Sequence, residues 1–499
     1  MPEIYLGIDA GSTTLKAAVF DGKTGRALAW RSERIPLRTG TDGRREQAPA
    51  DLDRALAGAM AGLRKAAGRR WRELSGIGLA AQGGSAMIAD AESGKSLTPM
   101  MLWNDARART FLPEVIRRRP ADFWRQTTWR NGPGHGLAKL LWFETHRPGT
   151  LVPGRKFVGA GEYLFFRLTG QWRQDPCHAL QIGCFNVPKR RLDARLLNTA
   201  KQPLSIVAPL RNGHETHPLA RRAARRFGLP AGVPVAGPYM DHEAGYLSAL
   251  DLSERPLQCS LGTAWVGNFA LPKNERWQSP THLVLPALTG DGWLVVQPLL
   301  TGNTTWDWFL AAFMDRDIRK ALTMTDALFR KALLPPPGLT ALPWFNMQHP
   351  LFTGSHGAGG FFGMSPATSP SDMARALAAA MVYEMKWVFS HVIARGKADC
   401  LVLGGGAGRD PALQKIFVAS FDGVPVHSVA EPDLIGARGS LHAFGTRAAR
   451  GRAVKAPRPP VKLRKEIETD YARYLKLRDA LYGRAPLGAP VTFGKRMKT

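Results

Sequence analysis

Cysteine is scarce in this sequence: Cys177, Cys184, Cys259 and Cys400 are scattered through 499 residues, and none forms a C-x-x-C pair. In a chain this long, that spacing argues against a disulfide framework or a cysteine-rich zinc site. Reduced thiols in a cytoplasm are expected. Long apolar runs are also lacking, since none reaches the roughly 18 residues of a membrane span. Ala376 to Val382 comes nearest and is bracketed by Arg375 and Glu384. Met1 to Gly11 has no basic patch followed by an apolar stretch, so no secretory leader is expected. The pair His214 and His217 in His-Glu-Thr-His lacks the i, i+4 spacing of a zincin helix and reads as a loop beside Pro218. No G-x-x-x-x-G-K-[ST] pattern occurs.

Acidic residues are few: 40 Asp and Glu stand against 68 Lys and Arg, a net charge of +28. The basic residues are spread along the chain, which bears on solubility and non-specific binding more than on fold. They concentrate only after Thr446, where 15 Lys or Arg face 4 Asp or Glu. Within that segment Val461 to Tyr482 reads as an amphipathic helix, with Leu463, Ile467, Tyr471, Tyr474, Leu475 and Leu481 near helical spacing. We expect it to pack on the core ahead of a frayed tail, in preference to a nucleic-acid arm. No specific nucleic-acid partner and no membrane are expected.

What is present is an ordinary globular balance, 44% hydrophobic and 22% charged. The length calls for two or three domains. Ile4 to Asp9 is a short β-like run, Ala10 to Thr13 a turn, Thr14 to Phe20 a second run, and Arg26 to Arg31 a third after another turn. About 250 residues later the pattern returns: Leu257 to Leu261, the turn Gly262-Thr263-Ala264, then Trp265 to Leu271. Two such hairpins imply two halves on one plan. Pro49 to Leu63, Pro218 to Phe227, Thr305 to Phe313 and Ser371 to Ile393 read as helices. Ser75 to Ala81 and Asp399 to Leu403 read as strands. This alternation indicates α/β layers, with the domain change between Ala244 and Pro256.

Several segments could carry phosphoryl chemistry, which needs phosphate donors, a carboxylate for Mg²⁺ and a base for the attacking hydroxyl. The first hairpin offers Asp9 at a strand end, backbone N–H groups at Gly11, and the hydroxyls of Ser12, Thr13 and Thr14. Glycine there would allow a positive φ and close approach of a phosphate. Lys16, on the strand face of Thr14, could offset charge. Val402 to Arg409 runs from a strand through Gly404, Gly405 and Gly406 toward a helix from Pro411 to Phe421, a fair anion site. It also matches a fragment of a dinucleotide motif, with Glu431 near the place of a ribose acid. That reading is weakened by Arg409 at the third glycine position and by the lack of a further βαβ unit. Gly76-x-Gly78-x-x-Ala81 lies inside a strand-like run. Asp241, on a Gly-Pro turn after the strand Val233 to Ala236, reads equally as a general base or as the cap of a helix from Glu243 to Leu250.

Taken in order, these segments resemble the FGGY family of carbohydrate kinases, within the sugar kinase, Hsp70 and actin superfamily, from about Ile4 to Gly445. GIDAGSTTLKAAVFD at Gly7 to Asp21 is similar to the family's first phosphate motif, and REQAP at Arg45 to Pro49 to its E-Q-x-P segment. GIGLAAQGG at Gly76 to Gly84 and MMLWNDARA at Met100 to Ala108 resemble the segments that face the sugar. GPYMDHEAGYLSAL at Gly237 to Leu250 resembles the block of the catalytic aspartate, and SLGTAWV at Ser260 to Val266 the second phosphate motif. GAGGFFGMSP at Gly357 to Pro366 and LGGGAG at Leu403 to Gly408 complete the set.

The resemblance implies an α/β fold of two actin-like (ribonuclease H-like) domains with a catalytic cleft between them. It divides the chain into 1–248, 249–446 and a basic helix and tail, 447–499. It implies an ATP-dependent kinase acting on a small sugar, a pentulose of the xylulose/ribulose class or a polyol. Asp241 is implied as the base and Asp9 as the Mg²⁺ ligand. Gly11, Ser12, Thr13 and Thr14 are implied for the phosphates, with Gly262 and Thr263, and Gly405 and Gly406 for the nucleotide. Gln82, Asn104, Asp105, Arg107 and His242 are implied for the sugar. A homodimer is compatible with it.

Three departures stand out. Xylulose kinases of the family commonly carry Met-His where this chain has Gly83-Gly84, which removes a bulky wall and a donor. The second phosphate motif has Ala264 in place of a usual Ser, and the adenosine loop has Arg409 in place of Ser or Asn. An actin-like ATP-binding regulator without sugar chemistry is the rival reading.

Overall fold

The computed structural model describes residues 3–278, 282–299, 301–345, 359–447, 453–455, 459–483 and 489–492. These fall into two compact units. The first comprises Met1–Asp251, Val284–Gly290 and Leu434–Gly451, and the second Leu252–Leu283, Asp291–Asp433 and Arg452–Thr499.

In the first unit the opening strand, turn and strand form β1 (Ile4–Ala10) and β2 (Thr14–Asp21), followed by β3 (Ala27–Arg34). Three more strands complete the sheet: β4 (Leu74–Ala81), β5 (His217–Pro218) and β6 (Pro234–Met240). The order across it is β5-β6-β4-β1-β2-β3. β1, β2 and β3 pair antiparallel, while β1 with β4 and β4 with β6 are parallel. Side chains alternate across a strand, so Ile4, Leu6, Ile8 and Ala10 face one core. That core is closed by Leu52, Leu56, Met60 and Leu63 of α1 (Pro49–Ala67). The other face of β1 carries Tyr5, Gly7 and Asp9. Here the chain returns late in its length: a Cβ on Gly7 would collide with the backbone of Ala437, and one on Gly78 with that of Ser440. The short helix Ile435–Gly439 therefore lies against bare backbone, a return that a division by linear order does not contain.

Four further helices of this unit matter to the site: α2 (His135–His146), α3 (Ala160–Thr169), α4 (Pro176–Ile182) and α5 (Asp241–Ala249). The expected turn after Ala236 is not a turn. β6 continues through Gly237-Pro238, whose peptide bond is cis, to Met240, and Asp241 opens α5 directly.

The second unit repeats the plan. β7 (Pro256–Leu261), β8 (Trp265–Leu271) and β9 (Trp293–Pro298) pair antiparallel in succession. β10 (Cys400–Gly404) and β11 (Val426–Val429) follow in parallel with β7, and β12 (Ala453–Lys455) pairs antiparallel at the end. The run β9-β8-β7-β10-β11-β12 mirrors β3-β2-β1-β4-β6-β5 strand for strand and direction for direction.

Three helices of the second unit are α6 (Pro370–Ala394), α7 (Pro411–Ser420) and α8 (Val461–Tyr482). The helix expected over Thr305 to Phe313 is α-helical from Asn303 to Phe309 and widens to a π-turn at Leu310–Met314. The tail was expected to fray, yet Ala489–Thr492 pairs antiparallel with Glu275–Gln278. Arg484–Pro486, Leu487, Gly488 and residues 493–499 lie outside the described residues, as do Gly357 and Ala358 of the GAGGFFGMSP segment. All four cysteines are buried and free. Among the described residues no helix is long and apolar enough to cross a membrane.

Candidate active site

The β1–β2 turn uses its own backbone sparingly. Gly11 N–H donates to Thr14 O at 3.0 Å, so it is not among the open donors expected there. Gly11 is also absent from the positive-φ glycines. A Cβ at this position would come within 3.3 Å of Thr14 O, so closeness of the turn, not a left-handed φ, favours glycine. The carbonyls of Ala10, Ser12 and Thr13 are taken by Gln82 N–H, the Gln47 Nε2 amide and Ile35 N–H. The N–H and hydroxyl groups of Ser12 and Thr13 have no acceptor among the described residues. They stand open beside Asp9.

Asp9 sits opposite Lys16 in the β1–β2 ladder and beneath Gly436, where a Cβ would strike its carboxylate. Its Oδ1 is buried with no hydrogen-bond partner. Burial first, then the nearby charge of Asp241, raise its carboxyl to about 7, and Lys16 opposes the rise. A buried, partnerless carboxylate oxygen of a hard anionic donor fits Mg²⁺. Among the described residues no group of three or more His, Cys, Asp or Glu forms a metal cage. A cation here would draw its remaining ligands from phosphate oxygens and water.

Asp241 is half-buried at the head of α5. It does not cap the helix through its side chain. Its Oδ1 accepts from His242 N–H at 2.9 Å, and its Oδ2 has no donor among the described residues. His242 is half-buried beside it.

Beneath Asp241 lies a buried ionic cluster that no motif announced. Asp175 caps α4, accepting at 2.7 Å from both the backbone N–H and the ring Nδ1 of His178. Its Oδ2 accepts from Met240 N–H at 3.4 Å. Burial alone would raise Asp175, but the charge of His178 and its two hydrogen bonds hold it below the usual carboxylate range. Burial would lower His178, and the charges of Asp175 and Glu162 hold it up instead, at about 9. Glu243, fully buried on α5, is pushed well above its ordinary value by burial and by Asp175. The sequence signal was the Asp-Pro pair opening α4, which reads only as a cap.

The two sugar-facing segments meet in the same unit. Gln82 is buried, its amide donating to Gln47 Oε1 at 3.3 Å and its Oε1 accepting from Ser85 Oγ at 3.0 Å. Asn104 has a buried Oδ1 with no partner. Asp105, expected to face the sugar, is instead spent on the protein. Both its oxygens are taken by Arg45 N–H and by the backbone and guanidinium of Arg107, which also pairs with Glu46 at 2.8 Å. Arg107 in turn lies 4.7 Å over the Trp142 ring. A backbone donor and a bidentate guanidinium saturate the carboxylate, so Asp105 and Arg107 brace the loop.

The space expected at Gly83-Gly84 is filled. Cβ atoms built there would come within 2.6 Å of the Gln181 carboxamide. Gly84 O is held from behind by the fully buried Lys139 of α2, which also donates to Leu102 O, both at 2.6 Å, and to Met101 O at 3.3 Å. Neither Gln181 nor Lys139 was legible as a site residue.

In the second unit the β7–β8 turn matches the first. The Gly262 and Thr263 carbonyls accept from Asn303 N–H and Thr304 N–H, and the N–H groups of Gly262, Thr263 and Ala264 have no acceptor among the described residues. Gly405 has a left-handed φ of 86°, and a Cβ built on it would come within 2.7 Å of Leu261 O, so no side chain fits. Gly406 then starts a short 3₁₀ turn to Arg409. The N-terminus of α7, expected as an anion site, is occupied: the Asp410 carboxylate accepts from Ala412 and Leu413 N–H. Arg409 pairs with Asp433.

Residues 4–248 match the N-terminal domain, and residues 257–443 the C-terminal domain, of the FGGY family of carbohydrate kinases. A xylulose kinase of Escherichia coli K12 is 26% identical over 418 residues, 81% of this chain and 82% of that one. A probable L-xylulose kinase of Pasteurella multocida is 28% identical, over 60% of this chain and only 63% of the relative. Among solved structures, a xylulose kinase from Rhodospirillum rubrum superposes with a TM-score of 0.80 at 22% identity, covering 96% of this chain and 99% of that one. A gluconate kinase from Lactobacillus acidophilus gives 0.78 at 21%, covering 97% and 99%. Those structural likenesses show the two-domain, actin-like α/β fold, and the two domain matches show that the chain belongs to the FGGY family of carbohydrate kinases.

Proposed function

We propose that the protein transfers the γ-phosphoryl group of ATP to a hydroxyl of a pentulose or polyol, with Asp241 as the base. The observation that carries this is the open Oδ2 of Asp241, held at a helix head whose charge is felt by Asp9. A substrate hydroxyl donating to that oxygen loses its proton to it as the oxygen attacks phosphorus. The Asp175–His178 pair braces the helix head, with Asp175 accepting from Met240 N–H just before the base.

Ser12 and Thr13 would donate to phosphate oxygens through backbone and hydroxyl groups, with Thr14 beside them. Asp9 would hold Mg²⁺, which when bound offsets charge on the phosphate oxygens. Gly262, Thr263, Gly405 and Gly406 are proposed to meet the nucleotide, and at Gly405 nothing larger than glycine fits. Gln82, Asn104 and His242 are proposed to meet the sugar, supported by Asp105 and Arg107 from behind. The relatives named for xylulose and gluconate favour a small polyhydroxylated acceptor. The absence of Met-His beside Gln82 favours one other than D-xylulose.

The test is ADP release from ATP and Mg²⁺ across a panel of ketoses and polyols. Sugar-dependent turnover is expected, and Asp241→Asn should lower it about 10²–10⁴-fold while nucleotide still binds. Nucleotide binding without any sugar-stimulated turnover would instead mark an actin-like ATP-binding regulator.

A further inference from the structure

We infer that Gln181, at the C-terminal end of α4, is the specificity-determining residue of the sugar site; the inference rests on the kinase reading above. Three contacts place it. Its carboxamide occupies the volume that side chains at Gly83 and Gly84 would take, within 2.6 Å of a Cβ built at either position. Trp103, the neighbour of Asn104, closes the same gap from the other side, its Cβ 3.1 Å from a Cβ built on Gly84. The Gln181 Nε2 amide donates to Met240 Sδ at 2.8 Å, and Met240 is the residue before Asp241. Gln181 is half-buried, and with its nitrogen turned to sulfur its Oε1 is left without a donor among the described residues.

A carboxamide held by one end, with its oxygen open, is an acceptor aimed by the protein. It lies between the loop carrying Gln82 and the strand end carrying the base. Asn104 Oδ1, buried and also without a partner, offers a second acceptor from the loop that flanks the gap. Two partnerless carbonyl oxygens, one of them on the side chain that bonds Met240 next to the base, call for a ligand that donates hydroxyl hydrogens, which a neutral polyol or ketose does. A site that spends buried acceptors on a hydroxyl rejects the analogue lacking it, because those acceptors are then left unpaired. Gln181 therefore sets both the depth of the sugar site at Gly83-Gly84 and the hydroxyl that is read there. At Gly83 any larger residue would displace it, and Gly84 is required besides by its own left-handed φ of 74°.

The experiment measures kcat/KM across the sugar panel for wild type, Gln181→Ala and Gln181→Leu, with ATP KM and melting temperature recorded for each. Gln181→Leu keeps bulk and removes the acceptor. It should cost the best sugar about tenfold or more while narrowing its advantage over the analogue lacking one hydroxyl. Gln181→Ala should also admit bulkier sugars. ATP KM should hold within about twofold. A cycle with Gly83→Ala, whose φ needs no glycine, tests the packing itself. The added methyl should damage the wild type and be nearly neutral in the Gln181→Ala background. An unchanged ranking of sugars in both Gln181 variants overturns the inference and leaves the kinase standing. So does additivity in the cycle. A wild type that turns over no sugar overturns the kinase reading and the inference with it.

Discussion

Lys139 is wholly buried, and each hydrogen of its ammonium finds a backbone carbonyl, two of them on the loops that bear Gly84 and Leu102. Burial presses its pKa down to about 7, against the pull of Asp105. Three carbonyl acceptors suit only the charged form. Lys139→Met keeps the length but leaves those carbonyls unpaired, which should cost about 2–5 kcal/mol in urea unfolding. A loss under about 1 kcal/mol would show that the loops hold without it. Asp9 poses the opposite case. Its folded pKa of about 7 lies above the ordinary 3.8, so its contribution to stability is full below pH 4 and lost as pH rises through 7. In the absence of Mg²⁺, Asp9→Asn should therefore stabilise the protein at pH 8, by about 1–2 kcal/mol after discounting for partial exposure, and hardly at all at pH 4. Sugar turnover should be lost in the same variant. A gain equal at both pH values would sink the account. Of these residues Asp9 was legible, because an acid at a strand end before Gly-Ser-Thr is a local signal. Lys139 and Gln181 were not, since each acts through partners tens of residues away, and Asp175 shows in sequence only its cap and not its contact with Met240, sixty-five residues on. At Asp105 the sequence shows Arg107 two residues on but not Arg45 N–H, which reaches the same carboxylate from sixty residues away.

At the scale of elements, strong periodicity was read well. α8 spans Val461–Tyr482 as its apolar spacing predicts, and it is anchored by polar groups that the spacing does not reveal. Tyr383 donates to Asp470 at 3.0 Å and Tyr474 to Glu384 at 2.7 Å, both buried. Boundaries slipped where a special residue intervened. β6 runs past Gly237-Pro238, a pair that ordinarily signals a turn. The segments between Arg107 and Gln181, which supply α2, α3 and α4, carried no motif and went unread. The tail shows the same limit, since Ala489–Thr492 has no alternation yet forms a strand. Deleting Ala489 to Thr499 strips the partner from Glu275–Gln278 and bares a sheet edge, which invites association. We expect the truncated protein to lose a few degrees of melting temperature and to self-associate on size exclusion. A monomeric truncation with an unchanged transition would show that the strand is dispensable.

Over the whole molecule, two hairpins some 250 residues apart sufficed to suggest two halves on one plan, and the two sheets agree in order and direction. The late return of the chain to the first unit was invisible, because Gly7 and Gly78 look in sequence like ordinary strand glycines. In the fold they are the places where the backbone of Ala437 and Ser440 rests. Around them Tyr5 and Phe20 pack with Leu434 and Leu441. This has a consequence for how the protein is made. When a ribosome has finished Asp251, the first sheet has all its strands but one bare apolar face, and its cover has yet to be translated. At typical elongation rates the wait is roughly ten to forty seconds. During that interval the nascent chain needs a chaperone or some other shelter, and a nonsense mutation anywhere between the two points would release a sticky half-protein.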